Sequence, residues 1–302
     1  MPPTLMDRDA LTARILPHMI LSDGTPSSLT GPPPSTSHHL SCEERAKLRF
    51  AVKGNAIVTG GAGTLGLLAS RALLEHGLSG IMIFDINPQQ IQLALTELTA
   101  DFPIATIAAR LVDITDEVAI NEAVADTVEL LGSVDILLCF AGVVACTHAL
   151  EMTSVEWRQI LDINTTGSFL TAQAVAKVMV KQGTGGSITF TASISGHRVN
   201  FPQPQVAYNV SKAALLTMKD CLAAEWARYG IRCNSISPGY MDTILNEGPA
   251  LASARAIWDS RNPMGRMGVP SELTGSIVLL CSQAGTYING ADIVVDGGAI
   301  VF

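Results

Sequence analysis

Tyr208 and Lys212, in the run Tyr-Asn-Val-Ser-Lys, carry the side chains with the most chemistry to offer. Their spacing of four residues places both on one face of a helix, a turn apart. An ammonium held near a phenol favours the phenolate. The pair therefore predicts a tyrosine pKa drawn down from about 10 towards the range of a general acid or base. Ordinary helices also carry Tyr and Lys at this spacing, so the pair points to catalysis only in company. A glycine-rich turn, an acid after the next strand and a serine upstream supply that company.

The elements that must position these groups follow from the apolar pattern. Short apolar runs alternate with helical stretches: Ala56 to Val58, then a helix to His76; Ile81 to Phe84, then a helix from Pro88, where proline suits a first turn. Ile107 to Val112 precedes a helix over Asp116–Leu131, and Ile136 to Cys139 precedes a long helix from Ser154 to Lys181. Ser187 to Thr191 is a strand, Val206 to Tyr229 a helix, and Ile231 to Ile236 and Ile293 to Val295 are further strands. The alternation predicts an α/β fold: a single Rossmann-type, doubly wound parallel sheet of about seven strands with helices on both faces. Right-handed crossovers then put ligands at the carboxyl ends of the strands.

Residues 1–50 read differently, as an irregular N-terminal extension before a catalytic domain over 51–302. Leu11 to Leu21 has the pattern of a short amphipathic helix, and Asp23 to Ser41, with Pro32-Pro33-Pro34, that of irregular chain. Either a surface-draped tail or a cover for a subunit edge or site rim fits it.

The chain has 302 residues, is 48% hydrophobic and only 15% charged, and carries a formal charge of −8. Such a chain suits buried parallel strands and argues against nucleic acid as a partner. The cysteines Cys42, Cys139, Cys146, Cys221, Cys233 and Cys281 form no Cys-x-x-Cys pair, which predicts free thiols in a reducing compartment and no metal site. The longest apolar stretch, Ile136 to Cys146, is too short to span a membrane, and no secretory signal pattern opens the chain. A cytoplasmic protein acting on a small molecule is expected.

Thr59-Gly60-Gly61-Ala62-Gly63-Thr64-Leu65-Gly66 joins the first strand to the first helix. Glycines there permit a tight turn and backbone approach to a pyrophosphate, which the helix N-terminus would hold. Asp85 ends the second strand, followed by Ile86 and no nearby Lys or Arg. A carboxylate there accepts hydrogen bonds from a ribose and repels a 2′-phosphate, which favours NAD(H), with NADP(H) as the alternative. Asp85 also reads as a turn-forming residue before Asn87-Pro88; both roles are compatible. Asp113 and Ile114, after the third strand, are placed beside the adenine ring.

On these motifs the chain resembles the short-chain dehydrogenase/reductase family from about Gly54 to Phe302. The resemblance implies a metal-independent enzyme, dimeric or tetrameric, with a Ser-Tyr-Lys-Asn catalytic set that maps onto Ser193, Tyr208, Lys212 and Asn164. It implies that Tyr208 exchanges a proton with the substrate oxygen while Ser193 holds that oxygen. Lys212 would lower the tyrosine pKa and bond the nicotinamide ribose, and Asn164 would anchor a water leading from Lys212 to solvent. Ala141-Gly142 match the family's close approach after the fourth strand. Pro238-Gly239, with Met241 and Thr243, match its turn beside the nicotinamide. Two departures stand out: Thr64 where the family carries glycine, and Cys139-Phe140 where it carries two asparagines. Both are expected to change detail and leave activity in place. The long helices after the fourth and fifth strands are apolar beyond one face, in keeping with a helix-pair subunit interface.

Ser193-Ile-Ser-Gly-His197 followed by Asn200-Phe-Pro-Gln-Pro-Gln205 is similar to the fungal sugar-alcohol dehydrogenase branch, which implies a polyol or ketose substrate. Gln203, Gln205 and Asn209 are placed to bond its hydroxyls; alternatively the loop is a rigid support beneath the tyrosine helix. Asp242 to Met267 reads as a lid, and its Leu245, Ala250, Leu251, Ile257 and Trp258 favour instead a bulkier hydrophobic ketone or alcohol of secondary metabolism. His148 and His197 read as rim or packing residues. A cofactor-binding regulator without turnover is the remaining reading, against which the catalytic set stands.

Overall fold

The computed structural model describes residues 15–25, 27–33, 39–243, 246 and 248–301. Seven parallel strands form one sheet: β1 (Asn55–Thr59), β2 (Gly80–Asp85), β3 (Thr106–Leu111), β4 (Ile136–Cys139), β5 (Gly186–Thr191), β6 (Ile231–Pro238) and β7 (Asp292–Val295). Their order is β3-β2-β1-β4-β5-β6-β7. The order reverses between β1 and β4, which pair in register from Ala56 opposite Ile136 to Thr59 opposite Cys139. A crevice opens at the carboxyl end of such a reversal.

Strands β1, β2 and β4 read as unbroken apolar runs because helices cover both faces, and most of their residues are fully buried. One face carries α4 (Glu117–Leu131), α6 (Ser168–Gln182) and α7 (Val206–Trp226), packed around Leu137, Ile188 and Phe190. The other carries α2 (Thr64–Glu75), α3 (Pro88–Asp101) and α9 (Thr274–Cys281), packed around Val58, Ile83 and Leu138. Local signals set the helix starts. Asn87 caps α3 by accepting from the N–H of Gln89 and Gln90, and Asp116 caps α4 by accepting from Val118 and Ala119.

Three expectations change. The long helix after β4 is α5 (Ser154–Leu161) and α6 separated by a π-helical turn over Asp162–Gly167. There the buried Asn164 amide is drawn out to the chain beyond β4, and Gly167 lies where a Cβ would come within 2.7 Å of the Ile114 side chain. A single π turn reorients such groups within an otherwise regular helix. Residues 15–21 form no helix; Ile15 and Leu21 are exposed, and without a surface to pack on, so short a helix is unstable. The remainder of that expected helix, residues 11–14, lies outside the described residues. Conversely, α1 (Cys42–Arg49) forms within the segment read as extension, closed by a reciprocal capping box between Ser41 and Glu44. It rests against the turn at Gln283–Gly285, while Leu29 packs on Gly230 at the amino end of β6. Both contacts lie at the end of the sheet away from the crevice.

All six cysteines are free thiols, with Cys139, Cys233 and Cys281 buried. Among the described residues no helix is long and apolar enough to cross a membrane.

Candidate active site

The glycine turn after β1 is built by close backbone approach. Gly60 has φ +62°, and a Cβ there would stand 2.6 Å from the amide nitrogen of Ala141 beyond β4. A Cβ on Gly66 would stand 2.3 Å from the carbonyl oxygen of Gly60. These collisions are with backbone and cannot be relieved by turning a side chain. Gly63 begins α2 without a side-chain cap, leaving N–H groups at the helix start directed outward. Thr64 is the first residue of α2, so its amide remains one of them.

Asp85 braces this loop. One carboxylate oxygen accepts from Ala62 N–H (3.1 Å), the other from the N–H groups of Ile86 (2.8 Å) and Asn87 (3.1 Å). Its turn-forming role is therefore realised, and it holds the glycine turn as well. Asp113 likewise accepts from the Thr115 amide and hydroxyl, in an exposed turn. The Ile114 side chain is buried against Gly167. Ile86 is largely exposed beside Asp85.

A cavity of about 220 Å³ opens at the carboxyl ends of β1, β4, β5 and β6. It brings together Ser193, Tyr208 and Lys212 with Leu65, Gly142, Pro238, Gly239, Met241 and Thr243. Ser193 leaves β5 extended; its hydroxyl donates to the Ser195 hydroxyl and accepts from the Ser195 amide, both at 3.1 Å, and it lies near enough to Tyr208 to lower the phenol's pKa. Tyr208 and Lys212 lie one turn apart near the start of α7, with the ammonium 5.6 Å from the centre of the tyrosine ring.

The electrostatics depart from the expected pairing. Burial raises the Tyr208 pKa, Ser193 only partly offsets it, and nearby Tyr240 pushes it further up. Burial also pulls Lys212 down to about 8, and its ammonium donates to the Thr191 carbonyl at 2.7 Å rather than to the phenol. Desolvation thus dominates at Tyr208. Cys139, beneath Lys212, is pushed up to about 12 by burial and stays a neutral thiol.

Asn164 is wholly buried and its amide is committed. Its Nδ2 donates to the Val143 carbonyl (2.9 Å) and the Ser211 hydroxyl (3.0 Å), while its Oδ1 accepts from Val143 N–H (2.8 Å). Its backbone carbonyl accepts from Ser168. The side chain fastens the loop after β4 to α7. Removing it would leave buried polar groups unpaired, at about 1–3 kcal/mol each.

The loop before α7 divides the expected polar residues. Gln203 and Gln205 line the cavity. Asn209 does not: its Nδ2 donates to the carbonyls of Ser195 (2.8 Å) and Arg198 (2.9 Å), holding the loop in shape. His197 is a packing residue, its Nε2 on Asp292 (2.9 Å) and Ser237 (3.1 Å); His148 is exposed. In the stretch expected to form a lid, α8 (Ala252–Ser260) carries Trp258, buried beneath Tyr240. Leu245 lies outside the described residues, and Ala250, Leu251 and Ile257 are not among the cavity-lining residues. Sequence reasoning passed over Tyr240, Ser195 and Asn200, which do line it. Tyr240 stood in plain view between Gly239 and Met241, but its partner is eighteen residues on.

A nicotinamide dinucleotide fits what is present. Two glycines keep a backbone cradle that a Cβ would fill, an uncapped helix start faces it, and the buried Thr191 hydroxyl at the cavity wall has no partner among the described residues. Fold and site together define a Rossmann-type α/β protein with a hydroxyl-bearing pocket beside its nucleotide cradle.

A family model described as Enoyl-(Acyl carrier protein) reductase, adh_short_C2, matches residues 60–299. The chain is 34% identical to an NADP-dependent mannitol dehydrogenase of Hypocrea jecorina over 82% of its own length and 93% of that protein. It is 36% identical to a sorbose reductase of Schizosaccharomyces pombe, over 82% of this chain and 97% of that one. A solved short-chain dehydrogenase/reductase from Mycobacterium marinum superposes with a TM-score of 0.80 at 37% identity, covering 84% of this chain and 98% of that chain. The chain belongs to the short-chain dehydrogenase/reductase family of oxidoreductases.

Proposed function

We propose that this protein interconverts a secondary alcohol and a ketone, that its substrate is a polyol or ketose, and that it prefers NAD(H). The observation that carries the reading is that the Ser193 and Tyr208 side chains line one cavity beside the glycine cradle. In reduction the substrate oxygen sits against both hydroxyls. Ser193 donates to it and stabilises the charge that develops there. Tyr208, kept protonated by burial, passes its proton to the same oxygen, and in oxidation takes the alcohol proton back. The nicotinamide supplies or accepts the hydride when bound. Lys212, fixed on Thr191 O, stands ready to bond the ribose and to replenish the Tyr208 proton through its own depressed pKa. Gly60, Gly61, Gly63 and Gly66 would hold the pyrophosphate. Asn164 acts as a positioning residue.

Polar groups on the cavity wall, among them Ser195, Asn200, Gln203 and Gln205, support the polyol reading, and the names of the mannitol and sorbose relatives point the same way. Asp85 supports NAD(H): it places a carboxylate at the end of β2 with no cation in the residues that follow. The Hypocrea relative is named for NADP, so both cofactors belong in the test. A bulkier apolar ketone is the second reading, favoured by Val143, Val144 and Ile194 on the cavity wall.

NADH and NADPH oxidation would be measured with fructose, sorbose and ribulose against aryl and alicyclic ketones. Turnover of a ketose with NADH is the expected result. Turnover of only the bulky ketones overturns the substrate assignment, and a wide preference for NADPH overturns that of Asp85.

A further inference from the structure

We propose that Tyr240 is a specificity-determining residue whose phenol donates a hydrogen bond to the hydroxyl on the carbon next to the reacting one. The inference rests on the polyol reading and deepens it. Tyr240 follows Pro238-Gly239 and lines the same cavity as Ser193 and Tyr208. Its carbonyl accepts from Gly268 N–H at 3.0 Å, and its ring stacks on Trp258 with centroids 4.2 Å apart and planes 8° from parallel. Backbone and ring are thus both held.

The direction of every bond at its oxygen can be worked out from groups with no choice. An indole N–H can only donate, and Trp258 Nε1 donates to Gln203 Oε1 at 3.2 Å. The amide of Gln203 must then present Nε2 to the phenol, which it does at 3.0 Å. On the other side two backbone carbonyls fix Asn209 Nδ2, which faces Asn200 Oδ1 at 3.0 Å. Asn200 must therefore present Nδ2 to the phenol, at 2.8 Å. A phenol oxygen that accepts from two amides has its lone pairs engaged, and its own proton remains to be given. Burial pushes the Tyr240 pKa up, so that proton stays on at neutral pH.

The acceptor for that proton is a substrate oxygen. Tyr240 is close enough to Tyr208 to raise its pKa, so the two phenols share one compartment. With the reacting oxygen between Ser193 and Tyr208, a neighbouring hydroxyl is the group that meets Tyr240. A plain ketone would leave this half-buried donor without a substrate partner, and sites with such donors reject substrates lacking the partner. The stacked pair that looks apolar in sequence thus works against an apolar substrate.

The test compares hydroxyacetone with acetone, which differ by that one hydroxyl, in the full-length protein and in Tyr240→Phe. The phenylalanine keeps the ring on Trp258 and removes the donor together with the acceptor of the Asn200 and Gln203 amides. The wild-type protein should favour hydroxyacetone, and the variant should lower the hydroxyacetone-to-acetone ratio of kcat/KM by about tenfold to a hundredfold. An unchanged ratio, whether both rates fall or neither does, overturns the assignment of Tyr240. If the wild-type protein reduces acetone as readily as hydroxyacetone and turns over no ketose, the polyol reading itself fails. Gln203→Met serves where Tyr240→Phe does not fold: it removes one of the two donors, lets the phenol turn, and should lower the ratio in the same direction by less. An unaltered ratio there overturns the proposal as well.

Discussion

The two sides of the crevice are built from different materials. The nucleotide side, from β1 to β3, is a backbone surface: close-packed glycines, an uncapped helix start, and Asp85 bracing the turn through amide hydrogens. The substrate side, from β5 to β6 and the stretch after β6, is a side-chain surface, where Ser193, Tyr208, Gln203 and Tyr240 set the contacts. A backbone surface tolerates changes of side chain but not the arrival of a Cβ at a close approach. A side-chain surface tolerates neither loss of a hydroxyl nor a reversed amide. This explains how the chain keeps a family cradle while carrying Thr64 within it: the helix start offers an N–H whatever the residue.

The largest effect should come from the side-chain surface. Tyr208→Phe is expected to lower kcat by about 10²–10⁴-fold. Nucleotide affinity, measured by NADH fluorescence, should hold; its collapse would mean that the phenol belongs to the cradle as well. Next is the backbone surface. Gly66→Ala drives a Cβ into the Gly60 carbonyl and should cost about 1–3 kcal/mol of stability, with nucleotide binding lost, whereas Thr64→Ala should stay within about 0.5 kcal/mol. Equal losses at the two positions, read by thermal melts with and without NADH, would erase the distinction.

A third measurement probes Lys212, where the two surfaces meet. Its pKa is about 8 in the fold against an ordinary value of 10.5, so the unfolded chain binds the extra proton between those values. Below pH 8 the folded protein carries the whole cost of burying the ammonium; the cost disappears as pH rises towards 10.5. Wild-type stability should therefore gain on Lys212→Met across this window, by on the order of 1–3 kcal/mol. A gap that is flat or shrinks in wild-type disfavour would show that Lys212 is not desolvated. The smallest effect is expected at Asp85. Asp85→Ser removes the repulsion of a 2′-phosphate and should move the NADPH-to-NADH ratio of kcat/KM up by about tenfold. It should also loosen the glycine turn slightly, since Ala62 N–H loses its acceptor.

Most of the strands and the helices between them were readable because each buried strand is an apolar run bounded by turn residues and each helix has its period. What escaped had contrary local signals. The π turn at Asp162–Gly167 lies inside a sequence with continuous helical pattern, and only the packing of Asn164 and Gly167 distinguishes it. Residues 15–21 have an amphipathic pattern and no surface to use it on; α1 was missed for another reason, its capping pair Ser41 and Glu44 following a Pro- and Ser-rich stretch that reads as irregular chain. In the site, the meeting of Ser193, Tyr208 and Lys212 at one cavity was legible because a strand end and a helical spacing are local features. The burial-driven rise of the Tyr208 pKa was not, since the spacing to Lys212 says nothing about solvent.

Residue type and order along this chain were enough to define the doubly wound sheet, the glycine turn and the Ser-Tyr-Lys set, because period, turn chemistry and helical spacing are local properties. The direction of Tyr240's proton, the commitment of the Asn164 amide and the desolvation of Lys212 depend on groups distant in sequence. Hydrogen-bond polarity and burial are properties of neighbourhoods in space, and only the folded chain brings Trp258 beneath Tyr240 or Val143 against Asn164.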